Sequence, residues 1–405
     1  MTKYIITAAT TILLILSACA DKNMNESDEI AFADKQIRFL LQELEKSIGQ
    51  NPTSDRGPRV SPRSVRQGEL YVVPSTDWTS GFFPGVLWQM YAHSGDDFWK
   101  QAAREHTAHI EREKYNDRTH DVGFMIYCSA GQGYRLTDDP HYRDVIVQAA
   151  NSLASRFNET VGAIRSWDLQ NWEAARERWD YAVIIDNMMN LELLFRATEI
   201  TGDSVFHDIA LTHAKTTLEN HFRDDYSSYH VVDYDEQTGE IRNLNTHQGA
   251  SDESAWARGQ AWGLYGFAMA YRFTSRPAFL EQAKNIADFI LNHPNLPDDL
   301  VPYWDFDAPD IPDEVRDVSS AAIIASGLYE LGTLVPERAD YYWNTADQII
   351  ENITNFYRSA YRENRGFLLD NSTGNNTPGG YEINIPIIYA DYYYLEALLR
   401  KRQLP

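Results

Sequence analysis

Apolar residues recur every three to four positions along most of the chain, which is the spacing of amphipathic helices. Five of the junctions between these segments are tight polar turns with an aromatic residue shortly after, which indicates a weak repeat of helical hairpins. The stretch "YHVVDYDEQTGEIRNL" predicts one short β-hairpin that turns near Gly239. The pattern predicts about twelve helices, at residues 28–48, 79–94, 97–113, 121–136, 140–157, 180–201, 204–221, 253–273, 277–292, 317–334, 338–359 and 383–401.

Long connections alternate with short ones. Each long connection precedes a helix that is rich in Gly, Ala and apolar residues all round, as expected for inner helices. Six antiparallel hairpins closed into a ring would place every long loop on one face, together with the N-termini of the inner helices, which favour anions. The sequence therefore predicts an all-α chain, an (α/α)6 barrel, with a pocket for an acidic ligand. The alternative is an open helical-repeat solenoid. The long connections are residues 49–78, 114–120, 158–179, 222–252, 293–316 and 360–382.

The first residues read as an export signal. "MTKYIITAATTILLILSAC" carries Lys3, a short apolar run and a small-residue end, and it is too short for a membrane span. The ending resembles a bacterial lipobox, so residues 1–18 are predicted to be a signal peptide, Cys19 to be lipidated, and residues 19–27 to be a tether. Ordinary cleavage nearby is the alternative. The prediction is a bacterial protein held at a membrane only by this lipid, facing the periplasm or the exterior, with a single (α/α)6-barrel domain at residues 28–405.

Composition narrows the class of ligand. The formal charge of −23 argues against nucleic-acid binding, which needs a basic footprint. Aromatic residues make up 13% of the 405 residues, and many lie beside polar residues in Gly-rich segments, as rings that stack on sugars do. The alternative is that these rings fill the core. If Cys19 is lipidated, only Cys128 remains, so no internal disulfide is expected. The oligomeric state is not determined by these features.

Asp186 is an acid within a strongly apolar segment, "WDYAVIIDNMMNLELLFRAT", which reads as one helix with Asp186 in its second turn. A buried carboxylate is paired or holds its proton. Asp121, at the start of another inner helix, is the candidate partner, although it is also placed to be an N-cap. Two neighbouring carboxylates cannot both ionise easily, so one stays protonated near neutral pH, as a general acid must. The alternative for Asp186 is a hydrogen-bonded structural acid.

The segment "NTHQGASDESAWARGQAWGLYGF" places Arg258 and Trp262 four residues apart, on one face of a helix. Arg beside Trp at a pocket mouth suits a carboxylated sugar, because guanidinium binds the carboxylate and indole covers the ring. A core Trp pair with a surface Arg is the alternative. His120, His230, His247 and Asp121 match no compact ligand spacing, so neither a metal nor a cofactor is predicted.

Four motifs together, "DWTSGFFPG", "HDVGF", "IIDNMMNL" and "HQGASDESAWARGQAWGLYGF", resemble those of the unsaturated glucuronyl hydrolases of glycoside hydrolase family 88. The resemblance implies an (α/α)6 barrel that removes a 4,5-unsaturated uronic acid from the non-reducing end of oligosaccharides made by polysaccharide lyases, of ulvan or glycosaminoglycan type. It implies that Asp186 is the general acid/base and Asp121 the second carboxylate in a hydration of the C4=C5 bond. It implies substrate contacts by Trp78, Phe82, His120, His230, His247, Gln248, Trp256, Arg258 and Trp262.

The resemblance is weaker in the C-terminal loop, where no Lys follows Ser372 and Thr373, so recognition of a 6-sulfated hexosamine by that loop is not expected. The first long loop instead carries four arginines, which we expect to steer or contact a sulfated aglycone. The alternative is a solvated loop with scattered charges. Three other functions remain open: an unsaturated rhamnogalacturonyl hydrolase, a sugar epimerase that uses His pairs, and a non-catalytic glycan-binding lipoprotein that needs no Asp186. The four arginines are Arg56, Arg59, Arg63 and Arg66.

Overall fold

The computed structural model describes residues 26–168, 179–377 and 379–405; the predicted signal peptide and Cys19 lie outside these residues. Over this part of the chain, no helix is both long enough and apolar enough to cross a membrane. The helices are α1 (Glu26–Gln50), α2 (Phe82–Ser94), α3 (Asp97–Ile110), α4 (Val122–Ile126), α5 (Gln132–Thr137), α6 (Pro140–Ala154), α7 (Asn187–Thr201), α8 (Ser204–Asn220), α9 (Ala257–Thr274), α10 (Pro277–Asn292), α11 (Val318–Leu334), α12 (Ala339–Asn352) and α13 (Ile388–Arg402).

The inner helices form a closed ring. Going round it, α2 packs against the α4–α5 segment, which is followed by α7, α9, α11 and α13, and α13 returns to α2. A π-helical turn, Tyr127–Gly131, joins α4 to α5, so the predicted helix 121–136 is one interrupted inner element. The predicted (α/α)6 barrel is confirmed, and the solenoid alternative is wrong because the ring closes.

Inner and outer helices differ in burial as their sequences do. In α9 every residue from Ala257 to Ala270 is buried, whereas the outer helix α3 buries only a stripe spaced at three to four residues. Three outer helices begin with an Asp whose side chain accepts a hydrogen bond from a helix N–H. These caps account for the polar turns at three of the repeated junctions, and the cap residues are Asp96, Asp139 and Asp203.

The strands are β1 (Thr53–Ser54), β2 (Gly57–Arg66), β3 (Glu69–Pro74), β4 (Phe157–Asn158), β5 (Ala163–Ile164), β6 (Tyr181–Ile184), β7 (Val231–Tyr234) and β8 (Ile241–Asn245). The hairpin predicted near Gly239 is confirmed as β7–β8, and Gly239 has a φ of 75°. The predicted helix 180–201 is wrong at its start, because residues 181–184 form β6 and pair with β7. When every residue of a segment is buried, the spacing of its apolar residues does not distinguish a strand from a helix. The β2–β3 hairpin in the first long loop was not predicted.

Candidate active site

The long loops enclose a cleft of about 770 Å³ on one face of the barrel. Its walls come from the β2–β3 hairpin and from the segments that lead into α2, α4, α7, α9 and α13. The prediction that the long loops share one face is confirmed for these five loops, while residues 293–316 do not line the cleft. The predicted site residues on its lining are Trp78, His120, Asp121, Asp186, His247 and Gln248.

Asp186 lies between β6 and α7, and not in the second turn of a helix as predicted. It holds the N-cap position of α7, but its side chain caps no helix N–H and it is 7% exposed. The strand carries the chain to the cleft, and the helix turns away from it, so the carboxyl group stands at the cleft floor. The junction between the two elements is what positions Asp186.

Asp121 holds the equivalent position before α4, again without capping the helix through its side chain. Its Oδ2 accepts a hydrogen bond of 2.7 Å from the Thr119 hydroxyl. Its Oδ1 lies 3.3 Å from Nε2 of His120, which is fully buried. The capping alternative for Asp121 is therefore wrong, and both carboxylates stand at N-termini of neighbouring inner helices.

Gly123 and Asn190 hold the two helix N-termini together. Asn190, on α7, accepts a hydrogen bond of 2.8 Å from the backbone N–H of Phe124 on α4. A Cβ added at Gly123 would lie 2.4 Å from Oδ1 and 2.7 Å from Cα of Asn190. Only glycine permits this approach, so the "HDVGF" motif sets the distance between the elements that carry Asp121 and Asp186.

We expect Gly123→Ala to lower the free energy of unfolding by ~1–3 kcal/mol, the usual effect of inserting a methyl into a full core. We also expect a lower kcat, because the helices that carry the two acids must move apart. Denaturant unfolding and steady-state kinetics measure the two effects. Gly263→Ala in α9 is the control, since its Cβ would meet the flexible end of Ile286 at 3.3 Å. Wild-type stability and kcat in Gly123→Ala would contradict the close approach.

Burial raises the pKa of both acids. The pKa of Asp186 is raised to about 7, chiefly by burial and further by the charge of Asp121, while Arg258 opposes the shift. The pKa of Asp121 is raised to about 6, chiefly by burial, while the hydrogen bond from Thr119 opposes the shift. Asp186, with the higher pKa, therefore retains its proton to a higher pH than Asp121 does.

His230 is a neutral neighbour of Asp186. Its Nδ1 accepts hydrogen bonds of 3.1 Å from the backbone N–H groups of both His247 and Gln248, which places its proton on Nε2. Burial lowers its pKa well below 6.5. Nε2 stands 3.7 Å from Oδ2 of Asp186, and neither atom makes a hydrogen bond within the described part of the chain. This contact is therefore between a neutral imidazole and a carboxyl group.

Arg258 is not at the mouth of the pocket, so that prediction is wrong. It is 1% exposed, and Nη1 donates to Oδ2 of Asp317 at 2.8 Å. Its guanidinium also donates to the carbonyls of Thr373 and Gly374 at 2.7 Å. Spacing placed Arg258 and Trp262 on one face of α9, but inner helices are buried all round, so that face is covered by the C-terminal loop.

Three aromatic residues predicted to touch substrate lie behind the cleft wall. Phe82 is fully buried against Trp78, at 5.9 Å between ring centres. Trp262 is fully buried against Phe124, at 5.3 Å. Trp256 packs on His230 at 4.5 Å and is 2% exposed. His230 itself is buried beneath the loop that carries His247, so these residues support the wall and do not form it.

Sequence reasoning missed several rings that do line the cleft. Tyr389 stacks on Trp78 with ring centres 5.2 Å apart and an interplanar angle of 30°. Trp167 stacks on Trp179 at 5.3 Å and contacts the ring of His247 at 5.4 Å. Tyr389 was predictable in principle, because the first turn of every inner helix faces the loops. Tyr71 and Tyr381 also line the cleft.

A closed helical barrel with an aromatic-walled cleft and two acids of raised pKa on its lining is typical of hydrolases of the carbohydrate-active class. Comparison of the sequence supports this class. The model of Glycosyl Hydrolase Family 88 matches residues 60–361, and the chain belongs to that family.

Individual relatives narrow the class further. The chain is 45% identical to an unsaturated glucuronyl hydrolase of Formosa agariphila, over 95% of this chain and 94% of the relative. It is 34% identical to an unsaturated chondroitin disaccharide hydrolase of Streptococcus pyogenes serotype M1, over 83% and 84%. A crystal structure of an unsaturated glucuronyl hydrolase specific for heparin superposes with a TM-score of 0.85 at 42% identity, covering 94% of this chain and 98% of that chain.

These findings establish the activity class: the protein is a glycoside hydrolase of the unsaturated glucuronyl hydrolase type. The alternatives of a sugar epimerase and of a non-catalytic glycan-binding protein are therefore wrong. The predicted absence of a metal or cofactor stays a prediction.

Proposed function

We propose that Asp186 is the proton donor that starts hydration of the C4=C5 double bond of a terminal unsaturated uronate. The observation that carries this role is its buried carboxyl group on the cleft lining, with a pKa of about 7 and Asp121 as its charged neighbour. A general acid works best with a pKa near the working pH.

The unsaturated sugar is a vinyl ether, and the proposed steps follow from that. Asp186 transfers its proton to C4, and positive charge develops on C5 and the ring oxygen. The resulting carboxylate takes a proton from a water molecule, whose oxygen forms a bond to C5. The hemiketal then opens, the bond from C1 to the aglycone oxygen breaks, and the saccharide leaves. Because this is hydration and not displacement, the carboxyl separations of ordinary glycosidases do not apply.

The other site residues fall into two groups, those that line the cleft and those that lie behind its wall. Asp121 binds ring hydroxyls and its charge keeps Asp186 protonated. Trp78 and Tyr389 form one aromatic wall and Trp167 with His247 another, suited to the two faces of a sugar. Gln248 donates to the carbonyl of Gly374 at 2.9 Å and joins two loops at the cleft rim. His230 orients Asp186, and Arg258, Trp256, Trp262 and Phe82 support these groups from behind.

We propose sulfated uronate oligosaccharides, of glycosaminoglycan or ulvan type, as the substrates. A structure of a Streptococcus agalactiae unsaturated glucuronyl hydrolase mutant in complex with dGlcA-GalNAc6S, at 27% identity and a TM-score of 0.76, supports this choice. The test is loss of the ultraviolet absorbance of the C4=C5 acid on a panel of lyase-made disaccharides. Turnover of sulfated members identifies the source polysaccharide. Turnover of unsulfated members alone would overturn the substrate proposal.

The pH dependence of kcat/KM should report the proton on Asp186. Because the acid must be protonated, we expect kcat/KM to fall about tenfold per pH unit above about 7. Asp121→Asn removes a charge that raises the pKa of Asp186, so the midpoint of the fall should move to lower pH. Asp55→Asn, an acid on the cleft rim, is the control and should leave the midpoint in place. An unmoved midpoint in Asp121→Asn would contradict the coupling.

We also propose that the chain is exported and lipid-anchored through Cys19. The lipobox-like residues before Cys19 support this proposal. Metabolic labelling with a fatty acid, followed by cell fractionation, tests it against Cys19→Ala. Label on the wild type and none on the variant is the expected result. An unlabelled wild-type protein in the soluble fraction would overturn the anchor.

A further inference from the structure

Four arginines of the first long loop lie on the wall of the active-site cleft. Arg59, Arg63 and Arg66 lie on β2, and Arg56 lies just before it, in the turn that follows β1. The pairing of β2 with β3 shifts register between Arg59 and Ser61, and again between Pro62 and Ser64. Arg63 lies within the second of these irregularities and has no partner on β3, and all four arginines line the cleft.

The charge of Arg63 is neutralised by two acids, and its side chain joins three segments of the chain. It is buried and donates to both oxygens of Glu382 at 2.7 Å and to Asp77 at 2.9 Å. Burial opposes its charge, but these two acids raise its pKa well above the usual value of an arginine. Arg63 therefore joins the hairpin to the C-terminal loop and to the segment before α2, and has no charge to offer a ligand.

The other three arginines have surroundings that differ from those of Arg63. Arg59 lies 3.3 Å from the neutral side-chain amide of Asn51, and its buried Nε has no hydrogen-bond partner within the described residues. The guanidinium of Arg66 stands 3.5 Å from the ring centre of Tyr71 and contacts Glu382 only at 3.5 Å, with its side chain 40% exposed. Arg56 is exposed at the rim, next to Asp55.

The wall between these arginines and Asp186 is continuous. Glu382, beside Arg66, accepts a backbone hydrogen bond from Gly374, and the Gly374 carbonyl accepts one from Gln248. The backbone of Gln248 donates to His230, whose Nε2 faces Asp186. A saccharide held at Asp186 can therefore extend along this wall toward the hairpin.

We propose that Arg59 and Arg66, with Arg56 at the rim, form an extended subsite on this wall for oxyanion groups of the saccharide that leaves, either sulfate esters or carboxylates. This inference rests on the proposed function of Asp186, because it assumes that the unsaturated uronate is bound there. Guanidinium groups bind such planar or tetrahedral oxyanions through paired N–H donors. Stacking on Tyr71 holds Arg66 in place at low entropic cost.

The test compares unsaturated disaccharides with the same backbone, with and without a 6-sulfate on the hexosamine, and an unsulfated tetrasaccharide with a second uronate. We expect Arg59→Met and Arg66→Met each to raise KM about tenfold for the substrate whose anion they bind, since a charge-assisted hydrogen bond is lost. kcat should stay within about twofold of the wild-type value. KM and kcat for the unsulfated disaccharide should match wild type, and this unchanged activity also shows that the variants fold. Arg56→Met removes an exposed charge and should give a smaller effect of the same kind.

Arg143→Met, on the outer helix α6 with its side chain 52% exposed, is the matched control for loss of one positive charge. A rise in KM for the sulfated disaccharide assigns the subsite to sulfate, and a rise for the tetrasaccharide assigns it to a carboxylate. If wild type turns over all substrates and neither arginine variant changes any KM, the subsite is wrong and the proposed function stands. If wild type turns over none of them, the proposed function itself fails.

Discussion

Replacing Asp186 with Asn should lower kcat for the unsaturated uronate by about 10²- to 10⁴-fold, the range that a positioned general acid contributes. The amide keeps the size of the side chain but has no proton to deliver to C4. Substrate affinity should change little, because the aromatic walls and the loops around His247 and Gln248 remain. The effect should therefore fall on kcat and not on KM.

Loss of ultraviolet absorbance under single turnover, beside calorimetric binding of the same substrate, separates these two quantities. Asp208→Asn, an acid exposed on the outer helix α8, is the control and should behave as wild type. Equal turnover in Asp186→Asn and wild type would remove Asp186 from the chemistry. Loss of binding would instead mean that Asp186 holds the substrate.

Asp186→Asn should also change the way in which the stability of the folded protein depends on pH. The folded-state pKa of Asp186 is raised from 3.8 to about 7, so its protonated form favours folding, in full below pH 3.8. This contribution is lost as the pH rises from 3.8 to about 7, because the unfolded chain releases the proton in this range while the buried carboxyl group keeps it. Asp186→Asn has no such loss, so its melting temperature should exceed that of wild type at pH 8 and approach it at pH 4.

Arg258→Met should have the second large effect, a loss of ~3–5 kcal/mol in the free energy of unfolding, because it leaves the buried Asp317 carboxylate without its cation. Asp317 is fully buried and also accepts hydrogen bonds from Ser319 and Ser320 at the start of α11. The C-terminal loop loses its anchor as well, since Arg258 donates to the carbonyls of Thr373 and Gly374.

Urea unfolding measures this effect, and the double variant Arg258→Met/Asp317→Asn is its control. With the acid neutralised, part of the lost stability should return. The Arg258 charge also lowers the pKa of Asp186, so its removal should move the fall in kcat/KM to higher pH. A destabilisation below about 1 kcal/mol, with no recovery in the double variant, would mean that the buried ion pair is not what holds this region.

The path from Arg258 to Asp186 explains why one ion pair matters to both stability and catalysis. Arg258 is close enough to oppose the raised pKa of Asp186, but Asp317 shares its charge. A guanidinium without that partner would hold Asp186 ionised more strongly and leave it without a proton to transfer. The fold therefore keeps a necessary cation near the general acid while limiting its influence.

The sequence by itself determined the architecture of this protein. Periodicity separated inner from outer helices, because inner helices must be apolar all round and outer helices need only one apolar face. The alternation of long and short loops then placed the site on one face of a barrel. An acid among Val183, Ile184 and Met188 is chemically costly, so the neighbours of Asp186 in the chain were enough to mark it as a candidate.

Tertiary structure decided what local pattern could not. Residues 181–184 became a strand because β7 offered them backbone partners, and no periodicity reports the presence of a partner. Arg258 was buried because the distant C-terminal loop covers its face of α9. Tyr389 joined Trp78 only through closure of the ring. The pKa of Asp186 is raised chiefly because the folded chain buries its carboxyl group, and further because Asp121 lies on the neighbouring helix. A carboxyl group's pKa depends on neighbours that are distant in sequence, so only the folded chain sets it.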